Sequence, residues 1–293
     1  MKKIASHHEI DIFAPDDSRF SFLKSPYAAH KTHSAVDIYY GDFGSEALSP
    51  ADGEVIDVQS YDTPTPFKDW NSKEYVIAIK QNEKVIKILH VKPDVTTGDT
   101  VSRGDSIGTF IYNGYFIFWN DPVMHVEVRK TRDYLRASNN MWLTPNIEWS
   151  KLPSARTLEL ECQVEETNKK YSLLNAPCQT CGDVRGFAMD GGFLDGYISP
   201  SDDGFFGIVK PDGLFHPALS FEVTKDNSDI KCGGLAFCLS FMKPKIKIIP
   251  LKYGDMLFHP GEKIRIKIEV QLLCAASLST HLRHCSGHYH TGL

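Results

Sequence analysis

Five side chains in the first half of the chain have the types that bind or activate a metal ion. His33 and Asp37 are four residues apart in THSAVDI, His90 follows the apolar run KVIKIL, and His125 and Glu127 alternate along VMHVEV. Two neutral imidazoles and a carboxylate suit a catalytic Zn²⁺, which keeps one position open for water or substrate. The ion lowers the pKa of a bound water molecule and polarises a carbonyl group. The spacing of His33 and Asp37 is a weak signal by itself, because positions four apart share a face in both a strand and a helix.

Strand-forming segments surround these residues. They are rich in Val and Ile and are separated by polar or Gly/Pro-containing stretches, as strands and turns should be. The segments are GEVIDV (53–58), EYVIAIK (74–80), KVIKILHV (84–91) and PVMHVEVRK (122–130). Glycines at 98, 104 and 108 indicate tight turns around very short strands. One short helix is predicted over KTRDYLRA (130–137).

In this order the motifs resemble those of the lysostaphin-type zinc metalloendopeptidases, which cleave peptidoglycan and are built on a duplicated hybrid β-motif. THSAVDI matches the family's His-x-x-x-Asp motif, and SPADGEVI matches its Ala-Pro-x-x-Gly-x-Val stretch. ILHV matches a Tyr-x-His-Leu-type histidine, and GDTVSRGDSIG matches a glycine-containing turn. The resemblance covers about residues 25–130. It implies a mainly β protein whose residues 1–148 form a duplicated hybrid (barrel-sandwich) β-domain of the zinc-peptidase type.

The resemblance also implies roles for individual residues. His33, Asp37 and His125 would hold Zn²⁺, and His90 would be the catalytic residue. The family's last motif is His-x-His, with a catalytic first histidine, and Val123 stands at that position here. Glu127 is then either a substitute base or an acceptor that orients a ligand imidazole, and we favour the acceptor role.

Two functions of different classes follow from this incomplete motif. The first is a zinc metallohydrolase that cleaves a peptide bond, in the family usually a cross-bridge of peptidoglycan. The alternative is a degenerate, catalytically inactive zinc-binding scaffold for a peptide, glycan or protein partner. A biotinyl or lipoyl carrier domain is less favoured, because it needs an exposed lysine at a hairpin tip and the turn SRGDS has none.

The second half of the chain has a different pattern. From a boundary near residue 149, TLELECQV and EKIRIKIEV alternate apolar and polar residues with period two. This alternation is typical of antiparallel sheets with one buried face, and it predicts a β-sandwich of unknown role over 149–293. For the histidine-rich end THLRHCSGHYHTGL, a frayed tail is favoured over adventitious metal binding.

Composition narrows the class of protein. The 293 residues carry a formal net charge of −5, which argues against a nucleic-acid surface. No apolar run approaches the ~20 residues needed to span a bilayer, and the start MKKIASHHEIDIFAPDD lacks the apolar core of a secretory leader. A cytoplasmic location is therefore the default expectation, and an extracellular one stays open. Among seven cysteines, Cys178 and Cys181 form one C-x-x-C, for which two buried thiols are favoured over a structural zinc site.

Overall fold

The computed structural model describes residues 1–64, 72–136, 141–201 and 204–271, and nearly all of its regular structure is β. The elements up to residue 145 are β1 (Lys2–His7), β2 (Ile10–Ala14), β3 (Arg19–Ser21), α1 (Ala28–Lys31), β4 (Ala35–Tyr39), β5 (Glu46–Leu48), β6 (Gly53–Asp62), β7 (Lys73–Gln81), β8 (Lys84–Leu89), β9 (Val91–Pro93), β10 (Thr100–Val101), β11 (Ser106–Phe110), β12 (Met124–Lys130) and β13 (Thr144–Pro145). Those that follow are β14 (Thr157–Thr167), β15 (Ser172–Asn175), β16 (Gln179–Cys181), β17 (Val184–Gly186), β18 (Ala188–Met189), β19 (Gly192–Ile198), β20 (Phe205–Lys210), β21 (Gly213–Phe215), β22 (Leu219–Lys225), β23 (Ser228–Asp229), β24 (Gly234–Phe237), β25 (Leu239–Ser240), β26 (Ile246–Ile249) and β27 (Lys263–Val270).

Within the described ranges the strands form two large antiparallel sheets and two small ones. The first large sheet has the order β10-β6-β7-β8-β12-β4-β3-β25-β17-β16. The second has the order β21-β20-β19-β24-β26-β15-β14-β27-β22-β23, with β18 paired to β19. Two three-stranded sheets, β13-β1-β2 and β5-β11-β9, complete the fold. The prediction of a mainly β fold is confirmed.

Period-two alternation correctly predicted the buried face of the second large sheet. Leu158 pairs with Ile268 and Leu160 pairs with Ile266 across β14 and β27. All four side chains are buried, while the residues that alternate with them in β14 are exposed. Burial of one face in this way is what specifies the register of an antiparallel pair.

The two halves of the chain share a sheet, which the sequence did not predict. Strand β25 of the second half pairs with β3 of the first half, with Leu239 opposite Phe20. Residues of both halves also belong to one apolar core, in which Phe193 and Leu239 pack with residues of the first half. The second half is therefore joined to the first by hydrogen bonds and by buried apolar side chains.

A group of charged residues lies at the same junction, and we call Arg19, Lys24, Asp121 and Lys247 the interface charge cluster; Arg19 is half-buried and the other three are buried. Asp121 accepts a hydrogen bond of 2.6 Å from Lys247 and one of 3.2 Å from Arg19, and Lys24 Nζ lies 4.0 Å away. Lys247 also donates to the carbonyl of Trp119 at 2.9 Å. Three cations thus surround one carboxylate across the two halves.

Two predictions concern segments outside the sheets. The prediction of a short helix over 130–137 is wrong for the described residues. Strand β12 continues to Lys130, and turns, bends and irregular backbone follow over 131–136. The histidine-rich tail lies outside the described residues. Within the described ranges, no helix is long and apolar enough to cross a membrane.

Candidate metal centre

Three buried side chains, those of His30, Asp37 and His125, converge at one point of the first large sheet. Asp37 Oδ1 lies 2.7 Å from His125 Nδ1 and 3.0 Å from His30 Nε2, and the two nitrogens are 3.2 Å apart. In the part of the chain that the structure describes, this is the one group of three such side chains whose ligand atoms lie close enough to share a metal ion. We call these three residues the metal centre.

Strand pairing explains why two of these side chains meet. His125 in β12 is directly opposite Asp37 in β4. Side chains directly opposite in an antiparallel pair lie on the same face, with Cβ atoms about 4.5–5.5 Å apart. The third side chain, that of His30, comes from α1, the short helix just before β4.

The outer nitrogens of both imidazoles have hydrogen-bond acceptors. His30 Nδ1–H donates to the carbonyl oxygen of Phe22 at 2.7 Å, and His125 Nε2–H donates to Glu127 Oε1 at 3.0 Å. A proton held on the outer nitrogen of a neutral imidazole leaves a lone pair on the inner nitrogen. Metal-ligating histidines nearly always have such a partner, because it fixes the tautomer and the ring orientation. The donor set therefore fits a metal ion.

The separations of the ligand atoms agree with that fit. Ligands about 2.0–2.1 Å from a tetrahedral zinc ion are about 3.3 Å apart. The observed separations of 2.7, 3.0 and 3.2 Å are shorter than this by about 0.1–0.6 Å, so the three side chains need to spread by that amount, most of all Asp37 and His125.

The electrostatic environment favours positive charge at this point. Burial opposes ionisation of Asp37, but the charges and hydrogen bonds of His30 and His125 hold its pKa well below the usual range. Burial also opposes protonation of His125, yet hydrogen bonds to Asp37 and Glu127 raise its pKa to about 9. The two carboxylates thus stabilise a cation between them.

Glu127 is itself fixed by two buried cations. Arg129 pairs with its second carboxylate oxygen, and Lys87 Nζ lies 3.4 Å from Oε1. Lys87 also donates to the carbonyl of Leu135 at 3.1 Å. Glu127 is thus placed to orient the imidazole of His125.

His33 differs from its predicted position. Its Nε2 lies 3.0 Å from Nε2 of His216 in the second half, and the two rings stack. The chain turns between α1 and β4, with a left-handed backbone at His33 (φ 57°). Since residues 33 to 37 do not belong to one regular element, the four-residue spacing does not put His33 and Asp37 on a common face. His30, seven residues before Asp37, is there instead.

His90 lies near the metal centre and is held by an acid that sequence reasoning missed. Glu74 Oε2 accepts a hydrogen bond from His90 Nδ1 at 2.6 Å, and Oε1 accepts one from the His90 backbone N–H at 2.9 Å. Burial opposes ionisation of Glu74, but the charge of His90 and several hydrogen bonds lower its pKa. The ring centroids of His90 and His125 are 6.3 Å apart. No local pattern marks Glu74, which looks like an ordinary polar residue at the start of a strand.

Val123 packs beside the site in a small apolar cluster. Its neighbours there include Tyr39, Phe116 and Cys238. Tyr39 donates a hydrogen bond of 3.2 Å to Asp37 Oδ2, so this cluster contacts the metal centre through Tyr39.

A cavity of about 680 Å³ gives access to these groups. Its walls include Asp37, His90, His125 and Glu74, together with Lys87. Tyr27, Tyr61, Tyr115 and Leu135 also line it. Asp37 and His125 of the metal centre therefore face a cavity for a ligand of moderate size that has both polar and apolar parts.

The cysteine pair is arranged differently. The thiol of Cys181 lies 3.2 Å from the hydroxyl of Ser150, and Cys181 is buried in the core shared by the two halves. Cys178 is half-buried beside the core of the second large sheet. Neither belongs to a metal-ligand group among the described residues.

Comparisons with known proteins give a limited result. The family model described as "Domain of unknown function (DUF8155) N-terminal domain" matches residues 10–145, which is less than half of the chain. No curated protein matches. Among solved structures, an NMR solution structure of lysostaphin is similar over 88% of this chain and 100% of that chain, with 14% sequence identity and a TM-score of 0.27. The functional argument therefore rests on the side chains of the site.

Proposed function

We propose that this protein is a metal-dependent hydrolase that cleaves a peptide bond, with zinc held by His30, Asp37 and His125. The observation that carries the proposal is the pair of buried imidazoles whose outer nitrogens donate to Phe22 and Glu127. Their inner nitrogens then meet a carboxylate in the wall of a cavity. Two imidazoles and one carboxylate are the protein ligands of several zinc hydrolases.

A bound zinc ion supplies an activated water molecule and a positive charge that polarises the scissile carbonyl group. His90 transfers a proton from the water molecule to the leaving amine. Because Nδ1–H is donated to Glu74, Nε2 carries the lone pair and can accept a proton from water and later return it to the leaving amine. Glu74 holds the ring in that orientation through two hydrogen bonds. A positioned base of this kind contributes about 10²–10⁴-fold to a rate.

The remaining polar groups have binding and orienting roles in this proposal. Glu127 orients His125 and does not act as the base, because its carboxylate is already occupied by His125, Lys87 and Arg129. Tyr27 and Tyr115 line the cavity, and their rings offer contact surface to a peptide. Burial raises the pKa of Tyr27 to about 12, so its phenol stays protonated and can donate a hydrogen bond.

The choice of a peptide bond is supported by the order of the sequence motifs, which resembles that of the lysostaphin-type endopeptidases. A peptidoglycan-like cross-bridge peptide is the first substrate to test on that ground. The cavity volume, about 680 Å³, accommodates a few residues of an extended peptide.

One observation favours a second function, a zinc-containing scaffold that binds a peptide, glycan or protein without cleaving it. Val123 occupies the position of a family catalytic histidine and packs against Tyr39 and Phe116. A scaffold would keep zinc and the cavity but would have no need of a base. The pair formed by His90 and Glu74 favours the hydrolase.

The deciding experiment measures zinc-dependent cleavage of Gly-rich and cross-bridge peptides by the wild-type chain. We expect cleavage that is abolished by a chelator and restored by zinc. His90→Ala should lose about 10²–10⁴-fold in kcat while retaining one equivalent of zinc. The matched control is His33→Ala, which changes a histidine outside the metal centre and should leave kcat unchanged. Absence of cleavage by a zinc-loaded wild-type chain would favour the scaffold.

A further inference from the structure

Asp195 of β19 is a fully buried carboxylate in the second half of the chain. Its Oδ2 accepts a hydrogen bond of 2.7 Å from the backbone N–H of Phe22, which is 173 residues away in sequence. Its Oδ1 has no hydrogen-bond partner in the described part of the molecule. Burial raises the pKa of Asp195 to about 6. Burial of a carboxyl group costs free energy unless hydrogen bonds offset that cost, so the partners of Asp195 are informative.

The residue that Asp195 binds also holds a metal ligand. The Phe22 carbonyl oxygen accepts the hydrogen bond from His30 Nδ1 at 2.7 Å. The next backbone N–H, that of Leu23, donates to Ser21 Oγ at 3.2 Å, and the Phe22 ring is buried. The backbone around Phe22 is therefore fixed by Asp195 on one side, and on the other it orients the imidazole of His30.

The second half is also shaped to receive this segment. Gly207 in β20 is directly opposite Asp195 in β19. A Cβ atom added at Gly207 would lie 2.7 Å from Leu23 Cδ1 and 2.5 Å from the carbonyl oxygen of Phe215. The absence of a side chain at Gly207 thus leaves room for the Leu23 side chain against the second large sheet.

We propose that Asp195 is a positioning residue for His30, so that the second half of the chain completes the metal centre of the first half. The proposal rests on the proposed metal ligation by His30. It gives residues 149–293 a specific role, which is to hold the Phe22 carbonyl where it fixes the tautomer and orientation of a ligand. Partners one step removed from a metal typically change its affinity by about 10–100-fold.

A purely structural role for Asp195 predicts a different result. The halves are already joined by the pairing of β25 with β3 and by the interface charge cluster. Loss of Asp195 would then change the stability of the fold but not the affinity or the coordination of the metal.

The first experiment compares Asp195→Leu with Asp195→Asn in the full chain. Leu has the same number of side-chain heavy atoms and the same branching at Cγ but cannot accept the Phe22 N–H, whereas the Asn side-chain carbonyl can. We expect Asp195→Leu to weaken zinc about 10-fold in a chelator competition and to change the visible spectrum of the cobalt-substituted protein. Asp195→Asn should restore both. The matched control is Asp190→Ala, which removes the 2.8 Å ion pair with Lys210 near the start of β19 and should leave affinity and spectrum unchanged. Wild-type affinity and spectrum in Asp195→Leu would overturn the proposal.

A second experiment uses the wild-type chain and needs neither a variant nor bound zinc. Hydrogen exchange followed by NMR should show slow exchange of the Phe22 amide and a His30 ring protonated on Nδ1. Fast exchange at Phe22, or a proton on the other nitrogen of His30, would overturn the inference. Failure of the wild-type chain to bind zinc would overturn the proposed function separately.

Discussion

The metal centre and the interface charge cluster are both buried groups of ionisable side chains, but their chemistry is opposite. The interface charge cluster has three cations around Asp121. Protonated Lys and Arg side chains have no lone pair to offer a metal ion. The metal centre has two imidazoles whose outer nitrogens have acceptors and whose inner nitrogens face a carboxylate.

The comparison shows that burial and shifted pKa values do not by themselves identify a functional site. Burial lowers the pKa of Lys247 to about 7, although Asp121 opposes this shift. Burial likewise opposes ionisation of Asp121, but Lys247, Arg19 and Lys24 lower its pKa. Strongly shifted pKa values therefore occur in this cluster as well as in the metal centre. The difference lies in the donor atoms and in the cavity that reaches Asp37 and His125.

The largest effect is expected from removal of a metal ligand. His30→Ala should abolish one equivalent of bound zinc, because two protein ligands rarely retain a catalytic zinc ion. His33→Ala is the matched control, since it changes a nearby histidine that contacts His216 instead. Zinc per chain is measured by atomic emission after dialysis. Loss of zinc in His33→Ala with retention in His30→Ala would show that His33, the histidine of the His-x-x-x-Asp motif, is the ligand.

Loss of the central carboxylate of the interface charge cluster should change stability and not zinc content. Asp121→Ala leaves Lys24 and Lys247 buried without their counter-ion, so we expect the free energy of unfolding to fall by about 3–5 kcal/mol. Asp11→Ala breaks an exposed pair with Lys3 and should cost less than about 1 kcal/mol. Urea unfolding and zinc analysis of the folded protein measure the two quantities. Zinc loss in Asp121→Ala at unchanged stability would contradict the comparison.

A smaller effect is expected from Glu127 and Glu74, which orient the imidazoles of His125 and His90. Glu127→Gln should weaken zinc by about 10–100-fold, because the neutral amide is a poorer acceptor for His125 Nε2–H. Glu74→Gln makes the same chemical change beside His90 and should lower kcat without weakening zinc. Chelator competition and peptide cleavage separate the two variants. Equal zinc affinities in both variants would mean that Glu127 does not orient a ligand.

The last effect is a pH dependence of the interface charge cluster, which is small over any single pH unit. The pKa of Lys247 is about 7 in the folded protein, against an ordinary value of 10.5. Between these values the unfolded chain binds a proton that the folded chain has lost, so this residue makes stability rise with pH. The slope is at most about 1.4 kcal/mol per pH unit. Lys247→Met should remove this slope between pH 7 and 10, whereas Lys243→Met, at an exposed position, should keep it. Parallel stability curves for wild type and Lys247→Met would contradict the lowered pKa.

Sequence reasoning found the strands because their signal is local. The alternation around Leu160 and Ile266 and the apolar runs before Asp37 and His125 depend on neighbouring residues. The motif order also selected Asp37 and His125, which do meet. His30 was missed because a left-handed turn at His33 breaks the regular spacing on which the prediction depended.

Long-range partners could not be predicted in this way. Glu74 in β7 binds His90, which follows the paired strand β8, and Asp195 binds Phe22 from the other half of the chain. Their positions have no periodicity or motif, since each is defined by the tertiary pairing of segments distant in sequence. The sharing of one sheet by both halves, through β3 and β25, is a fact of the same kind.

The imidazoles of His30 and His125 donate to two different kinds of acceptor, one in the main chain and one in a side chain. His30 donates to a carbonyl oxygen of the main chain at Phe22, a group that every amino acid supplies. His125 donates to the side chain of Glu127, which a single codon change can remove. Amino-acid substitution at position 22 is therefore restricted by the space available to the buried side chain. The hydrogen-bond acceptor does not restrict it, because that acceptor is a backbone carbonyl oxygen. We expect related chains that keep a metal here to vary among large apolar residues at position 22 and to retain an acidic residue at position 127.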